Sequence, residues 1–419
     1  MLGLGSIVGT GVFVSVGIGA GIAGPGVVLA IVLAGLLAAC NALSSAQLAA
    51  VHPVSGGSYE YGYRRLTPSL GFAAGWMFLC AKSASAAAAA LGFAAYALHA
   101  ADAGSPAART GLAVGAVVVM TGLVLAGVRR SSLANAVIVS VTLASLVFFV
   151  LAGLRPALAH GPDNLRPFFA ASDAAGPAWR RLLEATALMF VAYTGYGRIA
   201  TMGEEVAEPR RTIPQAIIVT LGVSAALYVA VALVGVAAAG AAAFSGGSGD
   251  TGAALEAVAR GFGVPGAGAV LAAGAVTAML GVLLNLILGL SRMALAMGRR
   301  GDLPGAFGRL DAAGTRPTAA VVAVGLVIAV IAALGSLRLA WSFSAFTVLV
   351  YYAVTNLAAT RLARDERLYH PVVAWVGLGG CLGLAFWVEP RVWAAGLGVL
   401  GVGFLLRALM RGLVRGGRP

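Results

Sequence analysis

Apolar stretches of about twenty residues recur from one end of this chain to the other, separated by short polar, charged or Gly/Pro-rich joints. Wound as helices at about 1.5 Å per residue, such stretches can cross the roughly 30 Å hydrocarbon core of a bilayer. Within lipid each backbone must satisfy its own hydrogen bonds, so the expected fold is an all-α integral membrane protein. Twelve spans can be placed, near 2–22, 27–51, 69–98, 110–128, 132–154, 180–202, 213–240, 265–297, 317–335, 339–361, 371–388 and 392–410. A soluble chain carries roughly a quarter charged residues. This one carries 10%, with 60% hydrophobic residues.

The net charge of +13 would suggest a nucleic-acid partner in a soluble protein. Here the arginines gather at alternate ends of the apolar runs, which the positive-inside rule explains without one. With the N-terminus inside, nineteen arginines fall on the cytoplasmic side and eight on the other. An even span count then puts both termini in the cytoplasm of a cell whose cytoplasmic (inner) membrane holds the protein. The N-terminus has no basic region or small-residue cleavage site, so no cleavable signal peptide is expected. All fifteen acidic residues lie in joints or at helix ends.

One basic residue stands apart. Of the 28, 27 are arginine, and the single lysine, Lys82, sits inside the apolar run "LCAKSASAAAAA" (79–90). It lies about a dozen residues into the third span, roughly 18 Å along it and near the midplane. A lysine at a helix centre costs about 2.5–3.5 kcal/mol on insertion scales. In one reading its ammonium bonds carbonyls or Ser83 and Ser85 and locks the helix in place. In the other it gains and loses a proton as the protein works, since ionisable groups at membrane depth usually mark pathways.

Two spans carry closely spaced glycines: "GSIVGTGVF" in the first, with Gly5, Gly9 and Gly11, and "AYTGYGR" in the sixth, with Gly195 and Gly197. Glycine weakens a helix by about 1 kcal/mol relative to alanine. Glycines also let helices pack closely, but the matched placement five spans apart points to two interrupted helices. Irregular backbone at membrane depth is tolerated only where protein or a water-filled cavity satisfies it. Free N–H groups at such a break suit a carboxylate, and free carbonyls suit an ammonium. A broken helix in each half is the sequence pointer to a transporter built from inverted repeats.

Four stretches in order resemble signatures of the APC superfamily of amino acid, polyamine and organocation transporters. They are "GSIVGTGVF", "SSAQLAAVHPVSGGSYEYGYRRL", "FVAYTGYGRIATMGEEVAEPRRTIPQAI" and "LGVLLNLILGLSRMALAMGRRGDLP". The resemblance covers essentially the whole chain. It implies a five-plus-five inverted-repeat fold of leucine-transporter type, with repeats at 1–155 and 156–363 and two additional helices with a short basic tail in 364–419. It implies secondary active transport of amino acids or related amines by alternating access, with helices 1, 2, 6 and 7 rocking against 3, 4, 8 and 9. Carried over by motif, the substrate carboxylate meets the N–H groups of Gly9, Thr10 and Gly11 and the Thr10 hydroxyl. The ammonium meets carbonyls near Ile7, Val191, Ala192 and Thr194. The chain departs from relatives in three places. Its first helix, opening at the N-terminus, is expected to be shorter. Val191 stands where some relatives carry an aromatic lid, which leaves Phe190 or Tyr193 for the outer gate. Thr142 stands where proton-coupled relatives often carry a helix-5 lysine, and Lys82, near the helix-1 break, is the expected replacement.

The remaining polar residues narrow the function. Glu204, Glu205, Arg210 and Arg211 read as an inner-gate set of ion pairs. Asn285 serves either a packing hydrogen bond or substrate contact. Ser291 lacks the paired hydroxyls of a sodium site, which favours proton coupling or exchange. The four histidines and three cysteines have no ligand spacing, so no metal and no cofactor are expected. No catalytic cluster is visible at depth, so an enzyme is not expected. A nutrient sensor of the same fold, or a permease for another amine, remains as the alternative. With no acidic residue in the core and Lys82 present, small neutral amino acids are the expected substrates, with protons and the lipid bilayer as the other partners.

Overall fold

The computed structural model describes residues 4–52, 56–101, 105–127, 132–169, 176–200, 209–246, 252–311 and 314–416. Helices account for the regular structure, and no strand occurs among the described residues. The first half holds α1 (Leu4–Ile7), α2 (Val16–Ala23), α3 (Val27–Val51), α4 (Gly57–Arg65), α5 (Pro68–Ala100), α6 (Pro106–Leu125) and α7 (Ser132–Asn164). Next come α8 (Ala178–Tyr193), α9 (Gly197–Ala200), α10 (Pro209–Ala239), α11 (Ala241–Phe244), α12 (Ala254–Arg260) and α13 (Ala267–Arg299). The chain ends with α14 (Thr318–Ala333), α15 (Leu337–Thr360), α16 (Pro371–Ala385) and α17 (Pro390–Gly416).

Local chemistry sets several starts. Thr67 and Ser105 each cap a helix whose first residue is proline, accepting from the N–H of Leu70 at 3.2 Å and of Ala108 at 3.1 Å. A proline there gives up an N–H that has no partner in any case. Ser336 caps α15 through Leu339 N–H in the same manner.

Eight helical stretches among the described residues are long and apolar enough to cross a membrane. One of them, Gly11–Val51, has 41 residues, twice what a bilayer needs. It turns at Gly24-Pro25-Gly26, where Gly24 takes a φ of 61° that favours glycine. α14 and α16 are shorter, at 16 and 15 residues. α7 runs to Asn164, beyond the expected end at 154, because the Asn164 amide docks on the Ala237 carbonyl of α10 at 2.8 Å.

α5 and α15 are the most enclosed of the long helices, whereas α6 and α17 are largely uncovered. Ala86 to Ala90 are fully buried, and such small side chains let neighbouring helices approach closely. Ser85 and Ser344 join α5 to α15 at 2.7 Å. The outward residues are apolar instead of charged, among them Val118, Val119, Leu326, Leu405 and Leu409. That arrangement, polar pairs inside and an apolar exterior around long helices, is a multi-pass membrane protein.

Candidate substrate site at two helix breaks

The first span is broken as its glycines imply. α1 stops at Ile7, Val8 and Gly9 bend, and the helix resumes through a wide turn over Gly11–Ser15 before α2. The Ser15 hydroxyl donates to the Gly11 carbonyl. A Cβ on Gly9 would lie 2.6 Å from Val282 Cγ2 of α13, and one on Gly11 would lie 2.7 Å from Cα of Ala192. Both glycines are therefore places where backbone meets another helix at a distance that excludes any side chain.

The sixth span is broken too. α8 ends at Tyr193, a short 3₁₀ turn covers Thr194–Tyr196, and α9 follows. Gly11 against Ala192 brings this break onto the first one. The Tyr228 hydroxyl of α10 reaches both, donating to the carbonyl of Ile7 at 2.8 Å and, more loosely, to that of Ala192 at 3.3 Å.

Of the seven substrate residues read from the sequence, Ile7 and Ala192 thus present carbonyls to one point. Thr10 is buried, and its hydroxyl has no hydrogen-bond partner among the described residues. A buried hydroxyl without a partner is costly and marks a place where a ligand or water belongs. Val191 offers less, because its carbonyl already accepts from the Thr194 hydroxyl at 2.8 Å and from the Thr194 N–H. The Thr194 carbonyl is approached by the Tyr352 hydroxyl at 3.4 Å.

Lys82 is half-buried and donates to Thr194 Oγ1 at 2.9 Å. It thus bonds the helix-6 break, which abuts the helix-1 break near which it is expected. Its hydrogen bond goes to Thr194 and not to Ser83 or Ser85, the latter being committed to Ser344. Thr142 turns inward on its own helix, donating to Ile138 O at 2.7 Å. The Asn285 side-chain oxygen is buried without a partner among the described residues, and Ser291 bonds back to Leu288 O at 3.0 Å. Phe190 packs edge-on against Tyr352, and the Tyr193 hydroxyl donates to Ile31 O at 3.2 Å.

The inner-gate set is only partly in view. Glu204, Glu205 and the Arg210 side chain lie outside the described residues, and Arg211 is exposed in the first turn of α10. At the end of the molecule where α3, α13 and α15 finish, a different charge network is built. Glu60 of α4 pairs with Arg64 at 3.0 Å and with Arg300 at 2.8 Å, while Arg65 pairs with Glu366 at 2.5 Å. Asp302, fully buried, accepts from Arg407 Nε at 2.9 Å, from Tyr59 at 2.8 Å and from Tyr63.

Sequence reasoning missed Tyr228 and the Asp302–Arg407 pair. A lone tyrosine in an apolar helix is the only signal for the first. For the second, the basic "GRRGDLP" joint carried an aspartate whose partner lies 105 residues away.

Long apolar helices around two abutting breaks fit a transporter of the membrane. The comparisons narrow the class. The family model for amino acid permeases matches residues 1–408, so the chain belongs to the amino acid permease family of the APC superfamily. An uncharacterized transporter of Mycobacterium tuberculosis is 38% identical over 418 residues, covering 100% of this chain and 91% of the relative. A methylthioribose transporter of Bacillus subtilis is 29% identical, over 94% of this chain and 89% of its own. A branched-chain amino acid permease from the same bacterium is 29% identical, over 74% and 68%.

Proposed function

We propose that this transporter carries small neutral amino acids across the cytoplasmic membrane by alternating access, coupled to protons or to exchange. Its twelve spans form two inverted repeats, 1–155 and 156–363, with 364–419 adding two helices and a basic tail, and both termini are cytoplasmic. The substrate carboxylate bonds the N–H groups of Gly9, Thr10 and Gly11 and the Thr10 hydroxyl. Its ammonium bonds the carbonyls of Ile7 and Ala192, with Val191 and Thr194 beside them. Glu204, Glu205, Arg210 and Arg211 close the inner side. What carries the reading is that Ile7 O and Ala192 O, one from each broken helix, both lie within reach of a single hydroxyl donor. Two carbonyls converging on one donor volume make a seat for one ammonium group.

Lys82 is the coupling or site-shaping cation. Its bond to Thr194 ties its charge to the helix-6 break, so a change in its protonation alters a hinge of the site. A second reading, transport of a sugar thioether as the name of the methylthioribose relative suggests, is favoured by Tyr228 already filling the ammonium seat.

The test is uptake into proteoliposomes under an imposed pH gradient. Radiolabelled alanine, serine, leucine and methylthioribose serve as probes. The expected result is accumulation of a neutral amino acid that depends on pH and loses this dependence in Lys82→Ala. If Lys82→Ala and Lys82→Arg both keep the wild-type pH dependence, the coupling role of Lys82 falls. Uptake of methylthioribose alone sinks the amino acid reading.

A further inference from the structure

Tyr228 is fully buried near the middle of α10, with its ring 5.2 Å from that of Tyr193. Its hydroxyl has one proton to donate. It directs that proton to two carbonyls at the breaks, Ile7 O and Ala192 O. At membrane depth an unsatisfied carbonyl is costly. The hydroxyl therefore does for the ligand-free site what an ammonium does for the loaded one. An ammonium carries three donors and can satisfy both carbonyls at full strength, where the hydroxyl can hold only one well.

Resting on the reading of an ammonium seat above, we propose that Tyr228 is a displaceable surrogate for the substrate ammonium. In the empty carrier it satisfies Ile7 and Ala192 and allows the two broken helices to close on each other. Bound substrate evicts the hydroxyl and takes both carbonyls. Two consequences follow for the transport cycle. The empty carrier can reorient, so the protein supports net uptake and not only exchange. The substrate must outcompete an internal donor, so Tyr228 weakens apparent affinity and screens out ligands lacking N–H donors.

The decisive variant is Tyr228→Phe, which keeps the ring and removes the donor. Wild type and variant are reconstituted, and the amino acid that gives counterflow in wild type is used for both. Removing a competing hydrogen bond is expected to raise apparent affinity about five- to tenfold in counterflow. Net uptake, which needs the empty carrier to return, is expected to fall by a similar factor relative to exchange, giving a changed ratio of the two modes. Equal loss in both modes, with affinity unchanged, shows a merely structural tyrosine and overturns the proposal. A ligand series on wild type covers the case in which the variant does not fold: the counterflow substrate is competed with its N-methyl and N,N,N-trimethyl forms. Competition that declines as N–H donors are lost supports the proposal, and a trimethyl form as potent as the parent overturns it. If no amino acid gives counterflow in wild type, the ammonium seat itself is wrong and this inference goes with it.

Discussion

Lys82 and Arg407 are both basic side chains held inside the helix bundle, and their surroundings are opposite. Arg407 is 4% exposed, with its Nε on Asp302 and a terminal nitrogen on Tyr63 Oη at 2.7 Å and Pro68 O at 2.8 Å. Its guanidinium also lies 4.8 Å from the Phe72 ring centre. Charge, hydrogen bonds and stacking are all met, so this cation fastens α17 to the loop after α13 and to α4. Lys82 has one hydrogen bond among the described residues, to a neutral hydroxyl at a helix break, and no carboxylate of theirs within ion-pair distance. A fully satisfied cation holds one structure. A cation with one replaceable partner can take part in a cycle.

The largest expected effect breaks the first half of that contrast. Asp302→Ala strands the Arg407 charge without its counter-ion and should cost about 3–5 kcal/mol, read as a large drop in the thermal midpoint of the detergent-solubilised protein. Arg407→Lys should lose much of the same stability, because an ammonium cannot meet carboxylate, hydroxyl and carbonyl in the fork that the guanidinium offers. If Arg407→Lys melts like wild type, the fork is not what binds α17 in place.

Lys82→Met tests the other half. It removes a charge with no paired carboxylate and leaves Thr194 still bonded to Val191, so stability should change by less than about 1 kcal/mol. The pH dependence of transport should nevertheless disappear. A collapse in stability comparable with Asp302→Ala would make Lys82 a fastening like Arg407.

Thr194→Val sharpens the comparison. It deletes the acceptor for Lys82 and the donor to Val191 O, and should shift the pH profile of uptake while costing about 1 kcal/mol. An unshifted profile would mean that Lys82 acts without its link to the helix-6 break.

The smallest effect lies in the peripheral charge network. Burial first, then the Arg65 and Arg64 guanidiniums, hold the His52 imidazole below its ordinary value. His52 Nε2 accepts from Arg65 Nε at 2.8 Å, which requires the neutral ring. The Glu366 carboxyl is held below its ordinary value mainly by its bond from Arg65. For His52 the unfolded chain binds the extra proton between the depressed value and about 6.5, so its contribution is present above that window and lost as pH falls through it. Glu366 has the same sign at lower pH, through the window below about 4.3. His52→Asn should therefore flatten the acid side of the stability profile near pH 6, with little change at pH 8. An unchanged acid limb would exclude His52 from it.

Much of the architecture was legible because lipid imposes simple rules. Length and apolarity mark the spans, although α6 begins at Pro106 and not at the expected 110. The glycine clusters located both breaks, since a helix at membrane depth gives way only where side chains are missing and another surface covers the backbone. Ile7, Thr10 and Ala192 entered as site candidates through the motif resemblance, and the structure brings the carbonyls of Ile7 and Ala192 to one hydroxyl. The Lys82 charge could be found by counting one lysine among 27 arginines, but its partner could not.

The sequence by itself determined a helical membrane protein, its family signatures and the two positions where its helices must open. These follow from local properties: run length, backbone freedom and charge at the ends of spans. Only the tertiary structure decided which break receives Lys82, that Tyr228 serves both breaks at once, and that Asp302 and Arg407 meet across 105 residues. Hydrogen-bond partners depend on how helices rotate and pack. A difference of one residue turns a side chain by about 100° around a helix, so contacts between distant spans are set by the whole assembly.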